Sequence, residues 1–267
     1  MITLLRRSAA QARYVLTACL LLLCAFQVTI VAQAASIEST KSFGRLAEFL
    51  PSFLQRGLGS KALLLASFKG TIALGYFHPV VAVLLSALAA YLTTEPAHEV
   101  ESGLVDLELA RSLPRRDLIT RSAILAIATI VVATVSMGFG TWLGLQVFAS
   151  SEFEALPLAT ATRLLIHLGA VGCCFGALGL AIGSGSRRWT TAFTTVILTI
   201  VVLYLVEVVG IGWRPMWMLS WISPYHYYPA ISIVAGDAPR WRNIIILMSG
   251  AAALTSIAYW RFRTRDL

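Results

Sequence analysis

Residues 70–92 read GTIALGYFHPVVAVLLSALAAYL, and residues 98–118 read HEVESGLVDLELARSLPRRDL. The first stretch has no aspartate, glutamate, lysine or arginine. It is long enough to cross the roughly 30 Å hydrocarbon core of a bilayer, which takes about 20 apolar residues in a helix. The second stretch is a charged island, acidic in its first half and basic in its second. Because lipid excludes such charges, the pair predicts a membrane-spanning helix followed by a surface segment.

The composition extends this pattern to the whole chain. Of its 267 residues, 58% are hydrophobic and only 13% are charged, and the mean hydropathy is +0.78. A soluble domain of this size would need more surface charge. The sequence therefore predicts an all-α integral membrane protein with one transmembrane domain over residues 1–267. The predicted spans are residues 14–35, 70–92, 124–148, 164–184, 191–212 and 244–260.

The basic residues predict the orientation of the chain in the membrane. The formal net charge is +8, and arginines in short loops favour the cytoplasmic side. The loop at 149–162 contains Glu152 and Glu154 but no basic residue. We therefore expect both termini in the cytoplasm, a location in the cell inner membrane, and no nucleic-acid partner. The arginines on the expected cytoplasmic side are Arg6, Arg7, Arg13, Arg111, Arg115, Arg116, Arg121, Arg187, Arg188, Arg261, Arg263 and Arg265.

The first span has two interpretations. Arg6 and Arg7, followed by an apolar run and Ala32-Gln33-Ala34, resemble a cleavable signal peptide. The apolar run is longer than a usual signal core, however, and an even number of spans suits a cytoplasmic N-terminus. We expect a retained first helix; the alternative is cleavage that leaves a mature chain starting at Ala35.

Residues 36–61 predict an amphipathic helix on the outer membrane interface. Apolar residues recur there at three- and four-residue steps among charged residues, which is typical of a helix with one apolar face. A loosely ordered loop is the alternative. The apolar residues are Phe43, Leu46, Leu50, Phe53 and Leu54.

The segment at 212–242 is rich in aromatic residues and is interrupted by prolines. It predicts short or re-entrant helices between the fifth and sixth spans. We interpret its rings as an aromatic belt at the outer interface. The sharper alternative is that Trp217, Trp221 and Tyr225 form an outer gate over a translocation path.

Three polar residues within or beside the spans invite a functional interpretation, because such residues are costly in lipid. Lys69 lies near the outer end of the second span, and Glu207 lies about one turn from the outer end of the fifth. They share a depth and could form an intramembrane pair, with snorkelling of Lys69 to the interface as the alternative. His78 precedes Pro79 and predicts a kink or a packing role.

Small residues in the spans predict close helix packing rather than chemistry. Gly169, Gly172, Gly176, Gly179 and Gly183 lie on one face of the fourth span, where they allow another backbone to approach. The contact could lie within the chain or across a dimer. No catalytic, cofactor or metal site is expected, since the cysteines lie in apolar spans without metal-ligand spacing. The cysteines are Cys19, Cys24, Cys173 and Cys174.

An ordered set of motifs surrounds the charged island. A span with Pro79 near its start precedes Glu99-x-Glu101-x-Gly103-Leu104-x-x-Leu107, which is followed by Leu113-Pro114-x-Arg116. Ile222-Ser223-Pro224-Tyr225 precedes the last span, and the chain ends Arg261-Phe262-Arg263-Thr264-Arg265-Asp266-Leu267. This set resembles the permease subunits of ABC exporters in the type-2 membrane-component superfamily, especially the small permeases grouped with copper-enzyme maturation. A threonine of the family pattern is absent, and the proline-to-arginine spacing is one residue shorter.

The resemblance implies the membrane subunit of an ATP-driven exporter. A separate cytosolic ABC ATPase would supply the energy, and a second permease copy, identical or related, would complete the path through the lipid. The chain has no Gly-x-x-x-x-Gly-Lys-Ser/Thr string to hold phosphates. We therefore expect no cofactor here, with ATP and magnesium on the partner ATPase.

The island would then be the main coupling helix, between spans two and three. Val100, Leu104 and Leu107 would form one helical face for an apolar groove of the ATPase, with acidic residues around its rim. The loop at 184–189 would make a second contact, and a solvated loop that only anchors topology is the alternative. The residues expected at the ATPase are Glu99, Val100, Glu101, Gly103, Leu104, Leu107, Arg111, Pro114, Arg115, Arg116, Arg187 and Arg188.

Two other function classes were weighed against the exporter. A secondary transporter or membrane scaffold would work without an ATPase, and inverted repeats would favour it. A membrane-embedded lipid-modifying or hydrolytic enzyme would need titratable groups that converge at one depth, and His78, His167 and Glu207 do not converge in the sequence. The transported substrate is not predicted, because the bilayer alone demands apolar spans.

Overall fold

A computed structural model describes residues 2–40, 67–104, 114–150, 153, 156–210, 212–238 and 240–264. The regular elements in these ranges are helices, and no strand occurs among them. The α-helices are α1 (Ile2–Ser39), α2 (Phe68–Phe77), α3 (Pro79–Thr93), α4 (Glu95–Glu101), α5 (Arg115–Phe148), α6 (Leu158–Gly183), α7 (Trp189–Gly210), α8 (Arg214–Ser220), α9 (Ala230–Val234) and α10 (Trp241–Arg263). A 3-10 helix covers Pro224–Tyr227.

Among the described residues, six helical segments are long and apolar enough to cross a membrane, which agrees with the predicted number of spans. They are Thr3–Ser39, Phe68–Glu101, Arg116–Phe148, Leu158–Gly183, Trp189–Gly210 and Trp241–Arg263. Several helices extend well beyond the predicted apolar cores, because hydropathy marks the lipid-facing part of a helix and not its ends. The amphipathic helix predicted for 36–61 falls mostly outside the described residues.

The second span is interrupted at His78, which corresponds to the kink, one of the two roles predicted for this residue. Pro79 is the first residue of α3 and has no backbone N–H, and a residue before proline favours extended backbone. His78 accordingly has φ −62° and ψ 139°, and its side chain accepts a hydrogen bond from the Val80 N–H. The histidine therefore ends α2 and caps α3.

Helix α6 is the most buried of the six spans and packs against α3, α5, α7 and α10. Its glycines allow this close packing. A Cβ at Gly172 would lie 3.2 Å from the Ile130 side chain of α5, and one at Gly179 would collide with the Thr93 hydroxyl of α3. The predicted glycine face thus makes contacts within the chain.

Helices α1 and α5 approach each other closely at two glycines of α5. A Cβ at Gly140 would lie 2.5 Å from the Cys24 carbonyl oxygen, and one at Gly144 would lie 2.8 Å from the Val31 Cβ. Backbone therefore meets backbone, and any side chain at Gly140 must push α1 away.

The helix ends form two faces. The terminal face contains residues 2–8, 95–104, 114–121, 184–189 and 261–264, which are joined by contacts such as Ser8 with Glu95 and Arg261 with the Ala181 carbonyl. The opposite face contains residues 67–78, 149–150, 153, 156–157, 212–238 and 240, joined by contacts such as Phe68 with Phe153 and Tyr228 with the Tyr76 carbonyl.

We predict that Gly140→Ala lowers the free energy of unfolding by about 1–3 kcal/mol, because the new methyl group overpacks a backbone contact. Unfolding of the purified protein in mixed micelles, followed by tryptophan fluorescence, measures this change. Gly169→Ala is the matched control, since its Cβ would have no neighbour closer than 3.8 Å. Equal stability of the two variants would contradict the close α1–α5 contact.

Candidate functional site

A buried arginine organises the terminal face. Arg121 lies in the second turn of α5, and 1% of its side chain is exposed. Its Nη1 lies 2.8 Å from Glu99 Oε1, and its Nη2 lies 3.6 Å from Glu95 Oε2. Glu95 and Glu99 share one side of α4 because they are four residues apart. Two carboxylates on α4 therefore hold one guanidinium on α5.

The same cluster reaches α1. The Ser8 hydroxyl is buried and donates a 2.8 Å hydrogen bond to Glu95 Oε1. Glu95 thus lies between a hydroxyl of α1 and the guanidinium of α5. One short helix, α4, joins two spans that also pack directly against each other.

A second contact connects α4 with the start of α7. Glu101 Oε2 accepts a 2.8 Å hydrogen bond from the Trp189 backbone N–H. A carboxylate is favourable there, because the first N–H groups of a helix have no intrahelical acceptor and carry partial positive charge. The Trp189 ring also makes edge contacts with Tyr91 and His98.

The inner side of α4 is apolar. Val100 packs against a buried cluster from three spans: Leu118, Ile119, Leu180, Ala258 and Phe262. Nearby, the hydroxyls of Thr120 and Tyr259 lie 2.6 Å apart and join α5 to α10. Helix α4 is consequently fixed to the bundle by both charge and packing.

These contacts correct part of the sequence interpretation. Glu99 was expected at the rim of an ATPase contact, but it is 4% exposed and paired with Arg121. Val100 was expected to face a partner, but it faces the bundle. This pairing was not predicted from the sequence, although the four-residue spacing of Glu95 and Glu99 and the position of Arg121 at the start of an apolar span were its signal.

The predicted continuous coupling helix is also interrupted. Helix α4 ends at Glu101, the Ser102 N–H donates to the His98 carbonyl, and Gly103 has φ +70°. Glycine adopts this left-handed conformation readily at the end of a helix. Val100 and Leu104 therefore do not lie on one continuous helix face, and Leu107 and Arg111 lie outside the described residues.

The other predicted contact residues lie around the terminal face. Leu104 is half-buried beyond the Gly103 turn, and Pro114 is exposed directly before α5. Arg115 is the first residue of α5, and the exposed Arg116 has Nε 3.9 Å from Asp117 Oδ1. Arg187 and Arg188 are exposed in the loop between α6 and α7.

The opposite face contains a cavity of about 530 Å³. It lies between α2, α3 and α7 on one side and the segment from α8 to α9 on the other. Trp217 and Tyr225, two of the three residues predicted as an outer gate, line it, and Trp221 stacks on the lining residue His226 at 5.2 Å between ring centroids. The three residues predicted as an outer gate are therefore gathered at one cavity.

The cavity also gives Glu207 a different neighbour from the one predicted. Its Oε2 lies 3.6 Å from His226 Nδ1. Lys69 and Glu207 both lie within the described residues, and no ion pair joins them there. Equal depth in the membrane did not imply proximity, because α7 packs against α8 and the 3-10 helix, which bring His226 to the carboxylate.

We predict that Arg121→Met lowers the free energy of unfolding by about 3–5 kcal/mol, because it leaves a buried carboxylate without its cation. Glu99→Gln should destabilise the protein in the same way. The double variant should lose less than the sum, and unfolding in mixed micelles measures all three. Arg116→Met is the control, since 80% of the Arg116 side chain is exposed; strictly additive losses would contradict a coupled pair.

Comparison with known proteins assigns the chain to a family. No curated protein matches it. Residues 12–263 match the family described as the C-terminal domain of the multidrug efflux system permease Rv1217c. This match covers nearly all of the chain, from within the first span to the end of the last. The protein is therefore a multi-pass membrane permease and belongs to the Rv1217c C-terminal domain family.

Proposed function

We infer that the chain is the membrane subunit of an ATP-driven ABC exporter, with its terminal face in the cytoplasm. One observation carries the proposal: a short surface helix, α4, is held by charged contacts to three spans, α1, α5 and α7. A plain connector would not need a buried ion pair. A helix that receives force from another protein does need a firm attachment to the spans.

The contacts of α4 give this attachment its strength. The Arg121–Glu99 pair is buried, and removing one partner from such a pair leaves an uncompensated charge in a medium of low dielectric constant. A push on α4 therefore moves the start of α5 with it instead of breaking the pair. The hydrogen bond from Trp189 to Glu101 extends the same constraint to α7.

The exposed residues around α4 are where the ATPase would bind. They include His98 at the surface of α4 and Arg187 and Arg188 in the neighbouring loop. The half-buried Leu104 follows the Gly103 turn and would supply apolar contact. Closure of two ATPase subunits on ATP would press on this face, and a second permease copy would form the other half of the path.

The orientation follows from the same arrangement. Arginines collect on the terminal face, including the exposed Arg116, Arg187 and Arg188, and cytoplasmic loops favour such residues. We propose that the protein lies in the cell inner membrane with both termini on the cytoplasmic side.

Cysteine labelling tests this orientation. We predict that Ser150→Cys, exposed on the opposite face, reacts with a membrane-impermeant maleimide in intact right-side-out vesicles. Ser102→Cys, exposed beside α4, should react only after permeabilisation. Both variants are made in a chain whose native cysteines are replaced by alanine. The reverse pattern would contradict the orientation and, with it, the proposed ATPase contact.

Co-purification tests the partner. We predict that the protein isolated from its native membrane retains a stoichiometric ABC ATPase, and that Leu104→Asp removes it by placing a charge in an apolar contact. Leu158→Asp is the matched control, because Leu158 is exposed on the opposite face. Full transport by the purified chain without an ATPase would overturn the proposed function.

A further inference from the structure

We propose that the cavity on the opposite face binds lipophilic monovalent cations, with the Glu207 carboxylate as the charge partner and aromatic rings as the walls. The proposal rests on the proposed function only in taking such a cation as the exported substrate class. Binding itself depends on the cavity alone.

The cavity has the size and chemistry of a small-molecule site. Its volume of about 530 Å³ lies within the roughly 300–1,000 Å³ that is usual for ligand pockets. Its described lining is mainly apolar and aromatic, with Glu207 as the acidic residue and without lysine or arginine. An anion would therefore meet a carboxylate and no compensating cation, whereas a monovalent cation would meet its counterion.

Glu207 lacks a partner that matches its charge. About a quarter of its side chain is exposed (27%), yet its Oε2 is buried and has no hydrogen-bond partner among the described residues. A buried carboxylate oxygen without a donor is unfavourable. A bound cation would remove this penalty, so the site favours an occupant of positive charge.

His226 does not supply the missing charge. It lies 3.6 Å from Glu207 Oε2, but burial lowers the pKa of its imidazole below the usual value, which disfavours the charged ring. Its Nδ1 also lies 3.1 Å from Ser220 Oγ. One imidazole and one carboxylate are too few ligands for a metal ion to prefer this place over water.

Aromatic rings provide a second attraction for an organic cation. Tyr204 and Tyr225 meet edge to face with centroids 5.3 Å apart, and both line the cavity together with Trp217. A cation over such ring faces is attracted by the negative charge of the π-electrons, and quaternary ammonium ligands are recognised in this way. A large, weakly hydrated cation can use the rings and the carboxylate together.

The walls of the cavity differ in how firmly they are held. Tyr225 is buried, and its hydroxyl lies 3.2 Å from Ser86 Oγ and 3.4 Å from the Ala82 carbonyl of α3. Trp217 and Trp221 on and after α8 are each about half exposed. The tyrosine side thus forms a fixed floor, and the tryptophan side forms the mouth.

Equilibrium binding of tetraphenylphosphonium to the full-length protein in lipid nanodiscs tests the proposal. Wild type should bind this cation saturably, and tetraphenylborate, an anion of similar size and shape, should not bind saturably. Glu207→Gln should weaken cation binding at least tenfold, and Glu207→Asp should retain most of it. Glu38→Gln, half-buried at the end of α1, is the matched control and should bind like wild type.

A measurement on the unmodified protein covers the case in which a Glu207 variant does not fold. Dicyclohexylcarbodiimide modifies carboxyl groups in apolar surroundings, and tetraphenylphosphonium should protect Glu207 from it, as read by mass spectrometry of the peptide. Absence of protection, equal binding of the anion, or unchanged binding by folded Glu207→Gln would each overturn the cation site.

The two proposals fail in different ways. Saturable, Glu207-dependent cation binding without ATP-driven transport would leave the site standing and remove the export function. ATP-driven transport of neutral compounds, without binding of tetraphenylphosphonium, would leave the exporter standing and remove the cation site.

Discussion

The ion pair between Arg121 and Glu99 fixes how α4, the helix between the second and third spans, packs against the other spans. A guanidinium that is 1% exposed requires carboxylates around it, and α4 supplies Glu99 at 2.8 Å and Glu95 at 3.6 Å. That requirement turns the polar side of α4 inward. Val100 then packs onto the ends of three spans, and Glu101 reaches the start of α7. The remaining contacts of the terminal face are consistent with this single constraint.

The number and order of spans could be predicted because lipid imposes a simple condition on each of them: about 20 apolar residues in a row. The break at His78 was also predictable, since proline constrains its own backbone and that of the residue before it. Local rules of this kind need no knowledge of tertiary contacts. The close α1–α5 contact at Gly140 needed such knowledge, because only the packed bundle shows which backbone the glycine meets.

The sites were less predictable than the fold, and the errors have one cause. Glu99 and Val100 were assigned to a partner surface, and Glu207 was assigned to Lys69, from position along the chain or depth in the membrane. Charge and apolarity in the sequence do not say whether a side chain is satisfied inside the protein or outside it. His226 lies nineteen positions after Glu207 in the sequence, and only the turn from α7 through α8 brings their side chains to 3.6 Å.

Helices α7 and α3 connect the two faces, so they are the elements along which the proposed exporter would transmit motion. Helix α7 starts at Trp189, bound to Glu101, and carries Glu207 about 27 Å further along its axis, at about 1.5 Å per residue. Helix α3 leads directly into α4, and its Ala82 and Ser86 contact the Tyr225 hydroxyl at the cavity. Glu207 and the residues that hold the Tyr225 hydroxyl therefore belong to helices whose other ends meet α4. A displacement of α4 by a partner would pass along α3 to the residues that hold the Tyr225 hydroxyl and along α7 to Glu207, and we propose this route for communication between the terminal face and the cavity.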